Sequence, residues 1–214
     1  LTTSVTVVSS GAGKLDAWFD FNNDGVWDAE EKIFDSIDVI AGSNELAFDV
    51  PADAMVDVSS FVRFRLSSEG GLLPDGLALD GEVEDYSVPV VAAGGISGVK
   101  FEDTDGDGVQ DEGETGIAGV IIFIDSDNNG VLDSSERSTT TGADGSFSFA
   151  DLAPGDYTLV EVVPAGMAPT VPASGSQVVT VGSGQLVTGV TFGNQFTTPR
   201  PDLVGAFVGG GLGD

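Results

Sequence analysis

The sequence contains no cysteine and no histidine. Without cysteine there is no disulfide framework and no thiolate metal site, and without histidine there is neither imidazole ligation nor histidine-based acid–base catalysis. Positive charge is almost as scarce. Lys and Arg number 7 against 35 Asp and Glu, for a formal charge of −28. A surface of that sign repels nucleic-acid phosphates and anionic lipid at every approach, which excludes both as partners. No apolar run reaches the roughly eighteen residues of a membrane-spanning helix, so membrane insertion is not expected. With 2 Trp and 2 Tyr in 214 residues, the exposed aromatic platform of a sugar-binding site is scarcely available. Leu1 is not an initiator Met followed by a charged and apolar leader, and the chain reads as a processed product or a piece of a longer one.

What is present points to β structure. The 31 Gly and 9 Pro punctuate short runs of Val, Ile, Thr and Phe. Apolar and polar residues alternate with a period of two in Ser4 to Val8, Phe61 to Leu66, Ser146 to Phe149 and Tyr157 to Val163. The fold class is therefore all-β, with a helical stretch supported only around Ala29 to Phe34. The Ala92–Gly95 stretch separates two strand-like runs, so a domain boundary is expected there, giving domains over residues 1–92 and 93–196. Residues 197–214 form a Pro-containing linker and a short apolar tail, in which Leu203, Val204, Phe207 and Val208 resemble a strand without a partner.

A twelve-residue pattern occurs three times, with oxygen-bearing side chains at places one, three, five, nine and twelve and Gly at place six. The first copy has Asp20, Asn22, Asp24, Asp28 and Glu31 around Gly25. In the second, Asp103, Asp105, Asp107, Asp111 and Glu114 surround Gly108; in the third, Asp125, Asp127, Asn129, Asp133 and Glu136 surround Gly130. A hard cation takes about six to eight oxygens, which alternate residues of a tight loop can supply while a Gly makes the sharp turn. The seventh residues, Val26, Val109 and Val131, would each add a backbone carbonyl, and the terminal Glu would close the site. The three copies hold 15 of the 35 acids, a concentration that repels itself without metal. About three Ca2+ ions are expected, with Mg2+ less suited because it demands stricter octahedral geometry. The flanks Leu15 to Phe19 and Val120 to Ile124 are strand-like, so the loops read as staples between strands, with ion affinity expressed as stability.

These residues also carry a family resemblance. The run LDAWFDFNNDGVWDAEE, then FVRFRLSSEGG and LDGEVEDYSV, resembles the GEVED domain over roughly residues 1–91. Residues 96–196, with GVKFEDTDGDGVQDEGETGIAGV, TTTGADGSFSFADLAPGDYTLVE and VTFGNQ, resemble the SdrD B-like repeats of bacterial surface proteins, relatives of the Cna B-type fold. The resemblance implies two tandem immunoglobulin-like β-sandwich domains, an extracellular or cell-surface place and a mechanical role stabilised by calcium. Cna B-type domains often carry a Lys–Asn isopeptide bond formed with the help of an acid, and the resemblance puts Lys100, Asn194 and Glu161 at those places. The competing reading for Lys100 is a surface ion pair with Glu102 or Asp103. The acids Asp80, Glu82, Glu84 and Asp85 read equally as added ligands or as a solvated edge, and Arg63 and Arg65 as strand residues paired with carboxylates.

The class that agrees with all of this is a non-enzymatic, calcium-stiffened segment of an extracellular bacterial fibre, adhesin stalk or filament. Its partners would be copies of itself or neighbouring domains, with the tail as a candidate donor strand. An accessory carbohydrate- or protein-binding module of a secreted enzyme is the alternative. Catalysis would have to rest on carboxylates alone, and the conspicuous carboxylates already follow metal-ligand spacing; there is no nucleophile elbow and no phosphate loop.

Overall fold

Alternation along the chain becomes strand after strand in a computed structural model, which describes residues 2–198. The chain divides into two compact units, Leu1–Val91 and Ala92–Asp214. The apolar tail at Leu203 to Val208 lies outside the described residues.

In the first unit β1 (Thr2–Ser9), β2 (Gly13–Phe19), β3 (Lys32–Val39), β4 (Gly42–Asp49), β5 (Val58–Ser67) and β6 (Glu82–Val90) form a four-stranded sheet in the order β3-β2-β5-β6 and a two-stranded sheet, β1-β4. All pairings are antiparallel. Period-two alternation sends Leu15, Ala17, Phe19 and Val62 inward. There they meet Val5, Val7, Leu46 and Phe48 of the smaller sheet. Phe19 and Phe21 stack with ring centroids 4.6 Å apart. The helical stretch expected at Ala29 to Phe34 is instead one 3-10 turn over Ala29–Glu31, after which Lys32 opens β3. Tertiary packing overrides the local pattern here, because Phe34 and Val39 are buried in the core against Leu15 and Ala17.

The second unit contains β7 (Gly94–Glu102), β8 (Ile121–Ile124), β9 (Ser138–Thr140), β10 (Ser146–Leu152), β11 (Gly155–Glu161), β12 (Met167–Val171), β13 (Ser176–Val181) and β14 (Leu186–Phe196). Two four-stranded sheets, β10-β7-β14-β12 and β13-β11-β8-β9, enclose a core that includes Ile96, Ile122, Phe147, Leu159 and Phe192. The pairing of β7 with β14 is parallel and the rest are antiparallel. This parallel pair sets Lys100 opposite Phe192 and Glu102 opposite Asn194. The first strand of this unit and the last among the described residues thus lie side by side, and the polar residues near their ends are brought within reach of each other.

Candidate metal loops and a buried lysine–glutamate–asparagine triad

Each acidic loop begins where a strand ends, Asp20 after β2, Asp103 after β7 and Asp125 after β8. These three first residues are buried, at 2%, 0% and 4% exposure. Their backbone N–H groups are tied to neighbouring chain, Asp20 to the Phe61 carbonyl (3.0 Å), Asp103 to Asn194 (2.9 Å) and Asp125 to Thr158 (2.8 Å). A buried carboxylate needs donors, and the loop supplies them from its own backbone. The sixth-place glycines Gly25, Gly108 and Gly130 donate N–H to the first-place carboxylates at 3.0, 2.9 and 2.8 Å. They do so at φ of +81°, +82° and +73°, a region that glycine enters without steric cost.

The terminal glutamates close the loops in the same way. Glu31 accepts N–H from Phe21 (2.9 Å) and Asp28 (3.1 Å). Glu114 accepts from Thr104 (2.6 Å) and Asp111 (3.1 Å), and Glu136 from Ser126 (2.8 Å) and Asp133 (3.0 Å). Fifth-place oxygens of Asp24, Asp107 and Asn129 take the N–H of Val26, Val109 and Val131. One hydrogen-bond scheme therefore orders all three loops before any cation is considered.

Carboxylate oxygens converge within 4.8 Å in two groups in the second loop, Asp103 with Asp105 and Glu114 and Asp105 with Asp107 and Asp111, and in one group in the third, Asp125 with Asp127 and Glu136. The first loop forms no such group among the described residues; Asn22 holds its third place and donates its amide to Asp24 (3.1 Å). No salt bridge among the described residues reaches any of the loop carboxylates. The crowding has an electrostatic signature: Asp107 next to Asp111, with lesser contributions from burial, Asp105, Glu114 and Asp103, pushes the Asp111 carboxyl above its ordinary value. Oxygen-only donors with excess negative charge and no salt bridge among the described residues fit a hard divalent ion of the size of Ca2+.

A second polar cluster sits inside the sandwich that carries the second and third loops. Lys100 on β7 and Asn194 on β14 are fully buried, and Glu161 at the end of β11 is 4% exposed. The Lys100 Nζ lies 3.3 Å from Glu161 Oε2 and donates to the Phe192 carbonyl at 3.2 Å. Burial pushes the Lys100 amine down, with Glu161 and Asp103 pulling the other way. It pushes the Glu161 carboxyl up, opposed by Lys100 and Asn194. Neither amide atom of Asn194 has a hydrogen-bond partner of ordinary geometry. An amide left in that state inside a core is costly, and the Glu161 carboxyl beside it, like the Lys100 amine that Glu161 meets, is pushed by burial toward its neutral form. The surface ion pair offered for Lys100 is thereby corrected: its partner is the buried Glu161, because β7 turns the side chain into the core.

Residues 94–200 match the family model of the SdrD B-like domain, and residues 14–89 match that of the GEVED domain. The chain belongs to the SdrD B-like family. It is 39% identical over 93 residues to serine-aspartate repeat-containing protein D of Staphylococcus aureus strain Newman, a stretch that is 44% of this chain and 7% of that protein. Serine-aspartate repeat-containing protein F of Staphylococcus epidermidis strain ATCC 12228 is 36% identical over 93 residues, 44% of this chain and 6% of the relative. The chain thus spans a small fraction of the length of these relatives. Among solved structures, the minor pilin GBS52 of Streptococcus agalactiae aligns at a TM-score of 0.41 and 17% identity, covering 88% of this chain and 85% of that one. The major pilin subunit BcpA of Bacillus cereus aligns at 0.38 and 13%, covering 92% and 59%.

The SdrD B-like unit has ties that spacing alone did not announce. The Gln195 amide donates to the Thr104 carbonyl (2.8 Å), and the Arg137 guanidinium, directly after the third loop, donates to the Ala150 carbonyl (2.6 Å). In the GEVED unit, Arg63 and Arg65 share a face with their cross-strand partners Trp18 and Asp16. Arg63 pairs with Asp85 (2.6 Å) and Asp75 (2.8 Å) as expected, and lies 3.9 Å over the ring of Trp27, inside the first loop. Arg65 differs from the expected carboxylate pairing: it is buried and donates to the carbonyls of Leu73 (2.6 Å) and Gly76 (2.8 Å), pinning the 68–81 loop over the sheet. Of the four acids near the GEVED motif, Asp80 accepts the Ser68 N–H (2.9 Å), Asp85 holds Arg63, and Glu82 and Glu84 are exposed. They join no carboxylate cluster among the described residues.

Proposed function

We propose that this chain is a non-enzymatic structural segment of a bacterial surface protein or fibre, working outside the cell, stiffened by Ca2+ in its acidic loops and by an isopeptide bond between Lys100 and Asn194. The observation that carries the reading is the one hydrogen-bond scheme repeated in three loops, each fixed to a sheet through its buried first aspartate. A bound cation would neutralise crowded carboxylates and join the end of one strand to the next turn. Asp20, Asn22, Asp24, Asp28 and Glu31 would hold the first ion with the Val26 carbonyl; Asp103, Asp105, Asp107, Asp111 and Glu114 the second with that of Val109. Asp125, Asp127, Asn129, Asp133 and Glu136 would hold the third with that of Val131.

The buried triad supports the covalent part. Lys100, as a free amine, attacks the Asn194 side-chain carbonyl carbon; Glu161, protonated, gives its proton to the departing amide nitrogen, which leaves as ammonia, and takes one back from the attacking nitrogen. One C–N bond forms and one breaks, with no oxidant or cofactor. Such a bond links the first and last strands of the SdrD B-like unit, where pulling on the two ends would otherwise shear a parallel pair apart. Assembly with copies of itself or with neighbouring domains belongs to the same proposal; a donor strand at Leu203 to Val208 would act from outside the described residues.

The test is a pair of measurements on the purified chain. Thermal unfolding in chelator and with calcium restored should show a calcium-specific rise in midpoint larger than magnesium gives, because each site adds about 2.7 kcal/mol at a hundredfold excess over its dissociation constant. Intact mass should fall one ammonia below the sequence mass in the calcium-loaded chain and stay full in Lys100→Ala. An unchanged midpoint removes the metal reading, and an unchanged mass removes the cross-link.

A further inference from the structure

The second acidic loop and the buried triad are built on the same residues. Asp103, first in the loop, lies three positions after Lys100 on the exit of β7, and its N–H donates to the carbonyl of Asn194 at 2.9 Å. The next residues repeat the tie, since the Gln195 side-chain amide donates to the Thr104 carbonyl at 2.8 Å. The loop entrance and the Asn194–Gln195 main chain are therefore tied at two consecutive points. The Asp103 carboxylate, fully buried, accepts N–H from Gly106 (2.7 Å) and Gly108 (2.9 Å) and belongs to the carboxylate group with Asp105 and Glu114.

We propose that Asp103 is a positioning residue for the cross-link, so that cation binding in the second loop licenses closure of the Lys100–Asn194 bond. This rests on the cross-link reading above and adds a control to it. Two effects of Asp103 point the same way. Its carboxylate is, with Glu161, one of the two charges that favour the ammonium form of Lys100, and only the free amine can attack. Once that carboxylate is committed to a divalent cation, its hold on the lysine proton is cancelled. Fixing the loop also fixes the Asn194 main chain through the Asp103 N–H, which holds the amide against Lys100 and Glu161. The third loop lacks this connection: Asp125 ties to Thr158 on β11, three residues before Glu161, and neither to β7 nor to β14. A chain made where free calcium is low would stay uncrosslinked and would lock on reaching calcium.

The experiment follows intact mass against time in the full chain, expressed and purified in chelator, with circular dichroism to follow its sheet content. The expected result is full mass in chelator and loss of one ammonia after calcium is added. Asp105→Asn combined with Asp107→Asn should slow that loss roughly 10-fold or more at the same calcium, because the second loop then holds the ion weakly and no longer fixes the Asn194 main chain. The third-loop pair Asp127→Asn with Asp133→Asn should keep the parent rate. A rate that depends on calcium while sheet content does not is a readout that a purely structural aspartate would leave unmoved. Full ammonia loss already in chelator overturns the gating and leaves the cross-link standing. Equal slowing by both loop variants, or a chelated chain without sheet, overturns the assignment to Asp103 in favour of a general effect of stability. A mass that stays full under every condition overturns the cross-link itself.

Discussion

Asp16 shows what a single residue contributes to the GEVED unit. It lies on β2 with no exposed side-chain surface, yet takes N–H groups from Ser36 (3.0 Å) and Leu72 (3.1 Å) and a salt bridge from Lys32 (2.8 Å). Three separate segments meet on one carboxylate. Replacing it by Ala leaves two backbone donors and an ammonium without their acceptor, at a cost of about 3 kcal/mol. Both tryptophans of the chain, Trp18 and Trp27, lie in this unit, so denaturant unfolding followed by tryptophan fluorescence reads the loss directly. Burial alone would raise the Asp16 carboxyl, but the bonds from Lys32, Leu72 and Ser36 outweigh it and hold it below 3.8; Arg63 does the same for Asp85. A carboxyl lowered on folding contributes stability that is fully present above its unfolded value and is lost as pH falls through the folded one. The tryptophan-monitored midpoint should therefore hold at pH 5 to 7, within roughly neutral conditions, and fall below about pH 4. In Asp16→Ala that acid-side fall should be shallower.

Loops and strands act together at the scale of the element. In the third loop, Glu136 accepts two backbone N–H groups and Arg137 beside it grips β10, so loop closure and strand position are set by neighbouring residues. Glu136→Gln keeps the size but removes the second anionic oxygen. Calorimetric titration should find one calcium fewer, and the calcium-induced gain in the SdrD B-like unit should shrink by about 2–3 kcal/mol at a hundredfold excess of ion. The tryptophan-monitored transition, which reads the other unit, keeps its calcium response. Much of this element-level organisation was legible in the chain. Strand alternation and the glycine-centred acidic spacing are local signals, written in consecutive residues. Features that depend on remote neighbours were not: the strand at Lys32–Val39 is fixed by Leu15 and Ala17, and the Arg65 carbonyl clamp by a loop that folds back over it. The GEVED glycine shows the same limit. Gly81 has φ of +98°, and a Cβ there would stand 1.7 Å from the Leu66 carbonyl oxygen, a close approach that the motif string alone does not display. For the triad, family resemblance named the three residues; burial and the 3.3 Å approach of lysine to glutamate required the folded chain.

For the whole molecule the governing quantity is the charge of −28 on 214 residues. Self-repulsion of that size opposes any compact state, and the sandwich cores must outweigh it. Its range is set by salt: the screening length falls from about 30 Å at 0.01 M to about 3 Å at 1 M ionic strength. In chelator, raising sodium chloride across that range should raise the unfolding midpoint, since repulsion among many carboxylates is screened while the few exposed ion pairs lose little. Calcium should flatten this dependence, because three ions would cancel six charges in the acidic loops, two of which hold the converging carboxylate groups. Direct ligation is not a screened, long-range interaction, so a calcium-specific gain should persist at 1 M salt, within roughly the screening limit above. A midpoint that falls with salt in chelator would mean that attraction between the few cations and their partners outweighs the net repulsion. A calcium effect that vanishes at high salt would mean diffuse counterion binding in place of three coordinated sites. The two curves, measured on one sample, separate charge crowding spread over the molecule from coordination confined to its loops.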